Sequence, residues 1–301
     1  VTNSRVDGLE VRINEIEAGS FSETTTASFS ADFFLGAVDG GDQDAATAGV
    51  QEDDAVMGGY SFQIDLNTSF TGEDSLDIAI DAGVSGVGID EFDGNSNGDS
   101  LKVDGLSYTF PLGDKTTVIA GIDTDGSALF TTACVYGGPG NMLDDCANVN
   151  AGITGGGATV GAAYDFGTGL TAAFGAQTTE SAVFTDESLD AYALNAAYTA
   201  DNYGVSVTYG VVETSTTNED TYTAFNAYYL PDGSNLPSLS VGYEIGDIGG
   251  AASTIDEKTS FMVGLTWDEI GPGSAGVAVG HSNTVEGSDE EYQYEAYYSY
   301  P

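Results

Sequence analysis

The sequence predicts an all-β protein, an antiparallel transmembrane β-barrel. Two observations carry the prediction. Apolar and polar residues alternate with a period of two along most of the 301 residues, and the links between these segments alternate between short and long. In residues 60–70, for example, apolar side chains occupy one face of a strand and polar side chains the other. A soluble β-sandwich would share the period, but its connections have no reason to alternate in length.

The lengths of the links predict the orientation of the barrel. Short links lie near residues 71–74, 111–114, 166–169, 200–203, 231–236 and 268–273. Long acidic links span residues 36–58, 85–100, 125–156, 179–188, 214–220, 247–258 and 283–289. Because outer-membrane barrels have short periplasmic turns and long external loops, we expect the long links outside and both termini in the periplasm.

The number of strands bears on whether the barrel is closed. About fourteen strand segments can be counted. The sequence stops at Pro301, where a periplasmic turn would fall, so we expect about sixteen strands in the full barrel, with the last ones missing here. A closed barrel of fourteen strands is the alternative.

The first 19 residues follow a different pattern. Apolar residues recur there at three-four-three spacing, with charged residues between them; they are Val6, Leu9, Ile13 and Ile16. This spacing is typical of a coiled-coil seam, although a single short amphipathic helix would show it too. The sequence therefore predicts the end of a coiled-coil stalk over residues 1–19 and a barrel over residues 20–301.

The composition excludes one class of function. The chain has 5 Lys and Arg against 48 Asp and Glu, so its surface repels the phosphates of nucleic acids. Its 17 Tyr and 14 Phe, with many Val and Ile, supply enough apolar area to fold an acidic chain. No enzyme is expected, because a single histidine, His281, offers no nucleophile-base arrangement. We expect His281 at an interface or in the lumen.

The only two cysteines, Cys134 and Cys146, lie within one glycine-rich stretch. Such spacing fits a short disulfide loop formed in an oxidising compartment, and two free thiols are the alternative. Val1 does not begin a secretion signal, so we expect that a leader has been removed.

Three phrases resemble cyanobacterial outer-membrane porins. Residues 6–22, VDGLEVRINEIEAGSFS, are similar to the junction of stalk and barrel in that family. Residues 65–74, DLNTSFTGED, resemble one of its strand-turn phrases, and residues 294–301, YEAYYSYP, its penultimate barrel region. The resemblance extends through the strand pattern across nearly the whole chain.

The resemblance implies an outer-membrane channel that assembles as a homotrimer in contact with outer-membrane lipids. In the family, an amino-terminal surface-layer-homology domain binds peptidoglycan or the cell wall, and this sequence lacks it. The family is related to carbohydrate-selective porins and is sometimes labelled as iron-uptake porins. The expected function is passive diffusion of inorganic ions and small hydrophilic solutes. A substrate-specific sugar or iron-uptake porin is one alternative.

The sequence also offers candidate pore residues. On the strands they are Asp65, Asn67, Asp77, Asp81 and Glu244. A charge facing the hydrocarbon costs about 2–4 kcal/mol, so we expect these polar side chains to face a watery lumen. The longest link, residues 125–156, follows the fifth strand and contains Asp125, Asp144 and Asp145. We expect it to narrow the pore as a constriction loop, with an external loop as the alternative, and its acidity predicts a preference for cations.

One segment matches the opening of a calcium-binding loop. Its oxygen-bearing residues are Asp93, Asn95, Asn97 and Asp99, and Asp104 stands where such loops close with Glu. These residue types also build ordinary turns, which is the alternative. No other cofactor is expected. A secreted or surface structural β protein with calcium-stabilised acidic loops is therefore the main rival to a porin.

Overall fold

The computed structural model describes residues 25–36, 56–84, 98–140, 143, 145–179, 183, 185, 189–233, 236–250, 256–288 and 292–300. These residues form fourteen strands in one sheet: β1 (Thr25–Gly36), β2 (Met57–Thr68), β3 (Ser75–Val84), β4 (Lys102–Pro111), β5 (Thr116–Ile122), β6 (Ala158–Asp165), β7 (Leu170–Thr178), β8 (Asp190–Thr199), β9 (Tyr203–Ser215), β10 (Asn218–Tyr229), β11 (Ser238–Asp247), β12 (Glu257–Ile270), β13 (Gly273–Val285) and β14 (Gln293–Ser299). The predicted all-β fold is confirmed. The predicted stalk, residues 1–19, lies outside the described residues.

The strands follow one another in chain order, and every neighbouring pair is antiparallel. This is the order of an up-and-down barrel wall. Within the described residues, β1 pairs with β2 and β14 pairs with β13, so β1 and β14 are the two edges of the sheet. No helix of the described residues is long and apolar enough to cross a membrane.

The two faces of the sheet differ in chemistry. On β9, Val205, Val207 and Tyr209 are exposed, while Ser206 and Thr208 between them are buried. The exposed face is apolar and the covered face is polar, the reverse of a soluble sheet. We call them the outer and inner faces. The alternation predicted from sequence therefore puts the polar residues of β9 on the inner face.

The turn between β2 and β3 shows how the sequence ends a strand. The carboxylate of Asp74 accepts hydrogen bonds from the amides of Phe70 and Thr71, at 2.9 and 2.7 Å, and from the hydroxyl of Tyr108 at 2.6 Å. These hydrogen bonds hold the pKa of Asp74 well below its usual range, and the bond from Tyr108 contributes most. Gly72, with φ of 88°, supplies the left-handed residue that the turn needs.

Two predicted links differ from the structure. Residues 214–220 were expected to form a long loop, but β9 and β10 are joined through Thr216 and Thr217 alone. Glu213 and Glu219 are partners across the two strands. A strand can continue beyond its apolar band into water, where charged residues are tolerated. On the opposite end of the sheet, the link from Tyr229 to Ser238 is longer than the short turn that residues 231–236 predicted.

Candidate pore and constriction loop

The chain between β5 and β6 turns onto the inner face of the sheet. Its neck is closed by a hydrogen bond from the amide of Gly126 to the carbonyl of Ile153, at 3.2 Å. The Gly126 amide also lies 3.0 Å from Oε1 of Gln177 on β7. We call the described residues between 123 and 157 the inner loop. The structure thus places the predicted constriction loop against the wall of the sheet.

Polar side chains on successive strands hold the first half of the inner loop. The amide of Thr131 donates to Oδ1 of Asn195 on β8, at 3.1 Å. The amide of Ala133 donates to the hydroxyl oxygen of Ser206 on β9, at 2.9 Å. Further along, the amides of Val135 and Tyr136 both lie 3.0 Å from the hydroxyl oxygen of Ser240 on β11. Each contact satisfies a loop amide that would otherwise be buried without a partner.

A disulfide joins Cys134 to Cys146, with the two Cα atoms 6.3 Å apart. Cys146 is fully buried, and its carbonyl accepts a hydrogen bond from the side-chain amide of Asn226 at 2.7 Å. Segments on both sides of the bridge are therefore bonded to the wall: the amide of Ala133 to β9 and the carbonyl of Cys146 to β10.

Glu244 fixes the second half of the inner loop. One carboxylate oxygen accepts hydrogen bonds from the amides of Asn150 and Ala151, at 2.9 and 2.8 Å, and the other from the side-chain amide of Asn150, at 2.7 Å. Glu244 is only 1% exposed. It was predicted to line the pore. It points inward, but the loop covers it, so it binds the loop instead of facing an open lumen.

Glycines on the inner face make room for the loop. A Cβ on Gly242 would overlap the carbonyl oxygen of Cys146, and one on Gly175 would overlap that of Gly126. On β9, a Cβ on Gly210 would lie 2.9 Å from the carbonyl oxygen of Ala151. Any side chain at the first two positions would push the loop off the wall.

The loop reaches the last strand through Tyr136. Its hydroxyl donates a short hydrogen bond to Oε1 of Glu295 on β14, and its ring meets that of Tyr297 edge-on, with the ring centres 6.0 Å apart. Burial, and then the hydrogen bond and charge of Glu295, raise the pKa of Tyr136. The loop therefore spans the inner wall from β7 to β14.

The inner face of β2 and β3 carries a separate acidic network. The side-chain amide of Gln63 donates to Asp65 at 2.6 Å, and that of Asn67 bonds Asp77. The hydroxyl of Ser75 lies 2.7 Å from the other oxygen of Asp77. Asp65, Asn67 and Asp77 line a cavity of about 320 Å³ together with Ser107 and Thr124. We call this surface the acidic wall; three predicted pore residues meet there.

The other predicted acidic pore residues are more scattered. Asp81 lies on β3 and is 5% exposed, and its Cα partner on β4 is Lys102. Asp125 lies in the neck of the inner loop. Burial is the largest cause of the raised pKa of Asp125, and the negative charge of Asp104 raises it further. A hydrogen bond from the amide of Gly156 lowers the pKa and offsets part of this shift. Asp145 is exposed on the loop. Asp144 lies outside the described residues.

The predicted calcium loop is only partly described. Asp93, Asn95 and Asn97 lie outside the described residues. Asp99 has φ of 61° and accepts a hydrogen bond from the hydroxyl of Tyr60 at 2.7 Å. Among the described residues, no three His, Cys, Asp or Glu side chains come together in a way that could hold a metal ion.

Apart from Glu244, the predictions from sequence did not include the residues that bind the inner loop. They are Gln177, Asn195, Ser206, Asn226, Ser240 and the glycines Gly175, Gly210 and Gly242. A signal was present: most inward positions on β7 to β11 carry small or amide-bearing residues, with Asp220, Tyr222 and Glu244 among the exceptions. A wall covered by protein favours such residues, because a charge under a loop lacks solvent and must be hydrogen-bonded there, as Glu244 is.

Comparisons with known proteins agree on the fold. A triple mutant of the Rhodopseudomonas blastica porin is similar to this chain with a TM-score of 0.60 and 12% identity, covering 90% of this chain and 89% of the porin. A double mutant of the same porin gives a TM-score of 0.59 at 12% identity with the same coverage. No family model and no curated protein matches the sequence. The chain therefore has the fold of the porins.

Proposed function

We propose that this chain is the barrel of an outer-membrane channel that passes inorganic ions and small hydrophilic solutes, with a preference for cations. One observation carries the proposal: a long loop folds onto the inner face of a sheet whose outer face is apolar. A channel needs a polar interior narrowed to a defined size and an exterior that lipid can cover. Both are built into the same fourteen strands.

The outer face supports membrane insertion. Leu194, Phe225 and Tyr243 are between 45% and 57% exposed, although each is a large apolar or aromatic side chain. Exposed apolar area of this extent is unfavourable in water and favourable against lipid tails. Together with the porin fold of the chain, this apolar face supports an outer-membrane location, and we place the long loops outside because outer-membrane barrels have their long loops there.

The acidic wall supports the cation preference. The inner loop covers the wall from β7 to β14, so the open passage lies beside β2 to β4, where Asp65 and Asp77 line the cavity. The strand register pairs one cationic residue of β4, Lys102, with Asp81 of β3. An excess of carboxylates gives the passage a negative potential that attracts cations and repels anions. A homotrimer and attachment to the cell wall remain proposals that follow from the family resemblance.

Planar-bilayer recording tests the proposal. The purified chain should insert from detergent and give discrete conductance steps, and its reversal potential across a KCl gradient should have the cation-selective sign. A chain that stays monodisperse without detergent and gives no steps would instead support the structural protein with calcium-stabilised loops. Saturable block by a sugar or an iron complex would point to a substrate-specific porin.

A further inference from the structure

One residue of the inner loop reaches the cavity of the acidic wall. The cavity is lined by residues of β2, β3 and β4, and among the described residues of the inner loop Thr124 alone lines it. Asp125 and Asp145, two acids that the sequence offered as constriction residues, are described and do not line this cavity. Thr124 lies in the neck of the loop, just after β5 ends at Ile122. The neck of the loop, and not its acids, therefore borders the passage beside the acidic wall.

The cavity forms because two neighbouring rows of inward residues differ in size. The rows are Asp65, Ala79 and Gly105 and, toward the short turns, Asn67, Asp77 and Ser107. Ala79 and Gly105 leave a depression in the wall, and larger polar side chains surround it. Its volume of about 320 Å³ holds a cation together with several waters, since each water takes about 30 Å³ in the liquid. A side chain at the rim therefore decides how much of this space a solute can use.

Four contacts fix the position of Thr124. Its amide donates to the carbonyl of Gly157 at 3.5 Å, and its hydroxyl donates to the carbonyl of Ile122 at 3.1 Å. Its carbonyl accepts a short hydrogen bond from the hydroxyl of Thr159 on β6. Its side chain lies over Gly121 of β5, where a Cβ would come within 2.6 Å of Oγ1 of Thr124. These partners belong to the neck and to β5 and β6, so the body of the loop is not needed to hold Thr124.

We infer that Thr124 sets the width of the passage beside the acidic wall, while Asp65 and Asp77 set its charge preference. The inference rests on the proposed function as a channel. A neutral side chain at the rim limits the size of a solute and adds no charge to the passage. The two carboxylates are held by hydrogen bonds from side chains of β2 and β3, without a contribution from the neck. Selection by size and selection by charge should therefore be separable by mutation.

Single-channel recording with polyethylene glycols of graded size tests the inference. T124W should lower conductance about twofold and admit only smaller polymers than the wild type does, because the indole extends into the cavity. T124A should raise conductance and admit larger polymers, so the test does not depend on the folding of T124W. T124V keeps the width of threonine without its hydroxyl and should keep the wild-type size limit. In all three variants the reversal potential across a KCl gradient should stay close to that of the wild type.

The matched control is T154W, because Thr154 is exposed on the same loop and does not line the cavity. It should keep the wild-type size limit. D65N/D77N should show the reverse pattern, with a smaller reversal potential and an unchanged size limit.

Three results would overturn the inference: equal size limits for T124W, T124A and the wild type, an equal shift in T154W, or a loss of charge preference in T124W as large as that in D65N/D77N. A chain that gives no conductance steps fails the proposed function. A chain that conducts with a size limit indifferent to Thr124 fails only this inference.

Discussion

Glu244 is the residue that most directly fixes the inner loop. Its carboxylate lies on the wall beneath the loop and accepts three hydrogen bonds from the loop residues Asn150 and Ala151. Substitution by Ala leaves the buried amide of Ala151 without a partner and removes two acceptors from Asn150, whose side-chain amide still donates to Oδ1 of Asn283. E244A should therefore lose about 1–3 kcal/mol of stability for each unsatisfied group that water does not reach. It should also raise single-channel conductance and its fluctuations, because the second half of the loop is released. Urea unfolding and bilayer recording measure the two effects.

Asp247 on the same strand provides the matched control for Glu244. Its carboxylate is exposed on the outer face, so D247N should leave conductance and stability close to those of the wild type. If E244A and D247N give the same conductance, Glu244 does not hold the loop.

Asp125 predicts a pH-dependent stability difference. Its pKa is raised in the folded chain, chiefly by burial, so stability falls as the pH rises from the unfolded pKa to the folded pKa, and the full cost remains at higher pH. Below the usual range for Asp, both states are protonated and the cost disappears. D125N should therefore be more stable than the wild type at about pH 7, and the difference should shrink toward about pH 3.

The control for Asp125 lies two residues earlier. Asp123 is exposed, with φ of 48°, a conformation that Asn adopts readily. D123N should be nearly neutral at both pH values in the same denaturant titrations. A stability gain for D125N that does not change with pH would show that burial of its charge is not the cause.

At the scale of elements, the inner loop depends on glycine where it crosses the strands. A Cβ on Gly242 would overlap the carbonyl oxygen of Cys146, and both atoms belong to backbone that is bonded to its neighbours. G242A should therefore displace the segment near Cys146 and increase conductance. In contrast, a Cβ on Gly137 meets nothing within 4 Å, so G137A should conduct like the wild type. Equal conductance for the two variants would contradict the packing of the loop on β11.

The strands were predictable from sequence because their signal is local. Alternation in residues 60–70 sets the two faces of β2 without knowledge of any other strand. The link between β9 and β10 was mistaken for a loop because charged residues such as Glu213 and Glu219 resemble loop composition. They instead extend the strands beyond the apolar band.

The contacts of the inner loop were not predictable in the same way. Ser240 and Tyr136 are 104 residues apart, and nothing in the period of β11 distinguishes a serine that faces water from one that accepts loop amides. Glu244 lies on the inner face, yet the pattern of β11 carries no information on what covers that face. Such information is a property of the tertiary structure, since it depends on where a loop of more than thirty residues comes to lie.

At the scale of the whole molecule, the loop divides the inner surface into two halves. Beneath the loop, on β7 to β11, most inward residues are small or amide-bearing, and the carboxylates there are bonded: Glu244 to loop amides, and Asp220 to the hydroxyl of Tyr222 and the amide of Gly249. Opposite it, on β2 and β3, Asp65 and Asp77 remain beside an open cavity. This asymmetry concentrates the charge that an ion would meet on one side of the passage.

Ionic strength provides the test of that asymmetry. The Debye length falls from about 10 Å at 0.1 M salt to about 3 Å at 1 M, so selectivity that depends on Asp65 and Asp77 should weaken steeply over this range. D65N/D77N should show a smaller reversal potential than the wild type at low salt, and the two should converge at high salt. D247N/E257Q removes the same number of carboxylates from the outer face and should keep wild-type selectivity. If both double variants lose selectivity equally, then the total charge of −43, rather than the acidic wall, governs the ion preference.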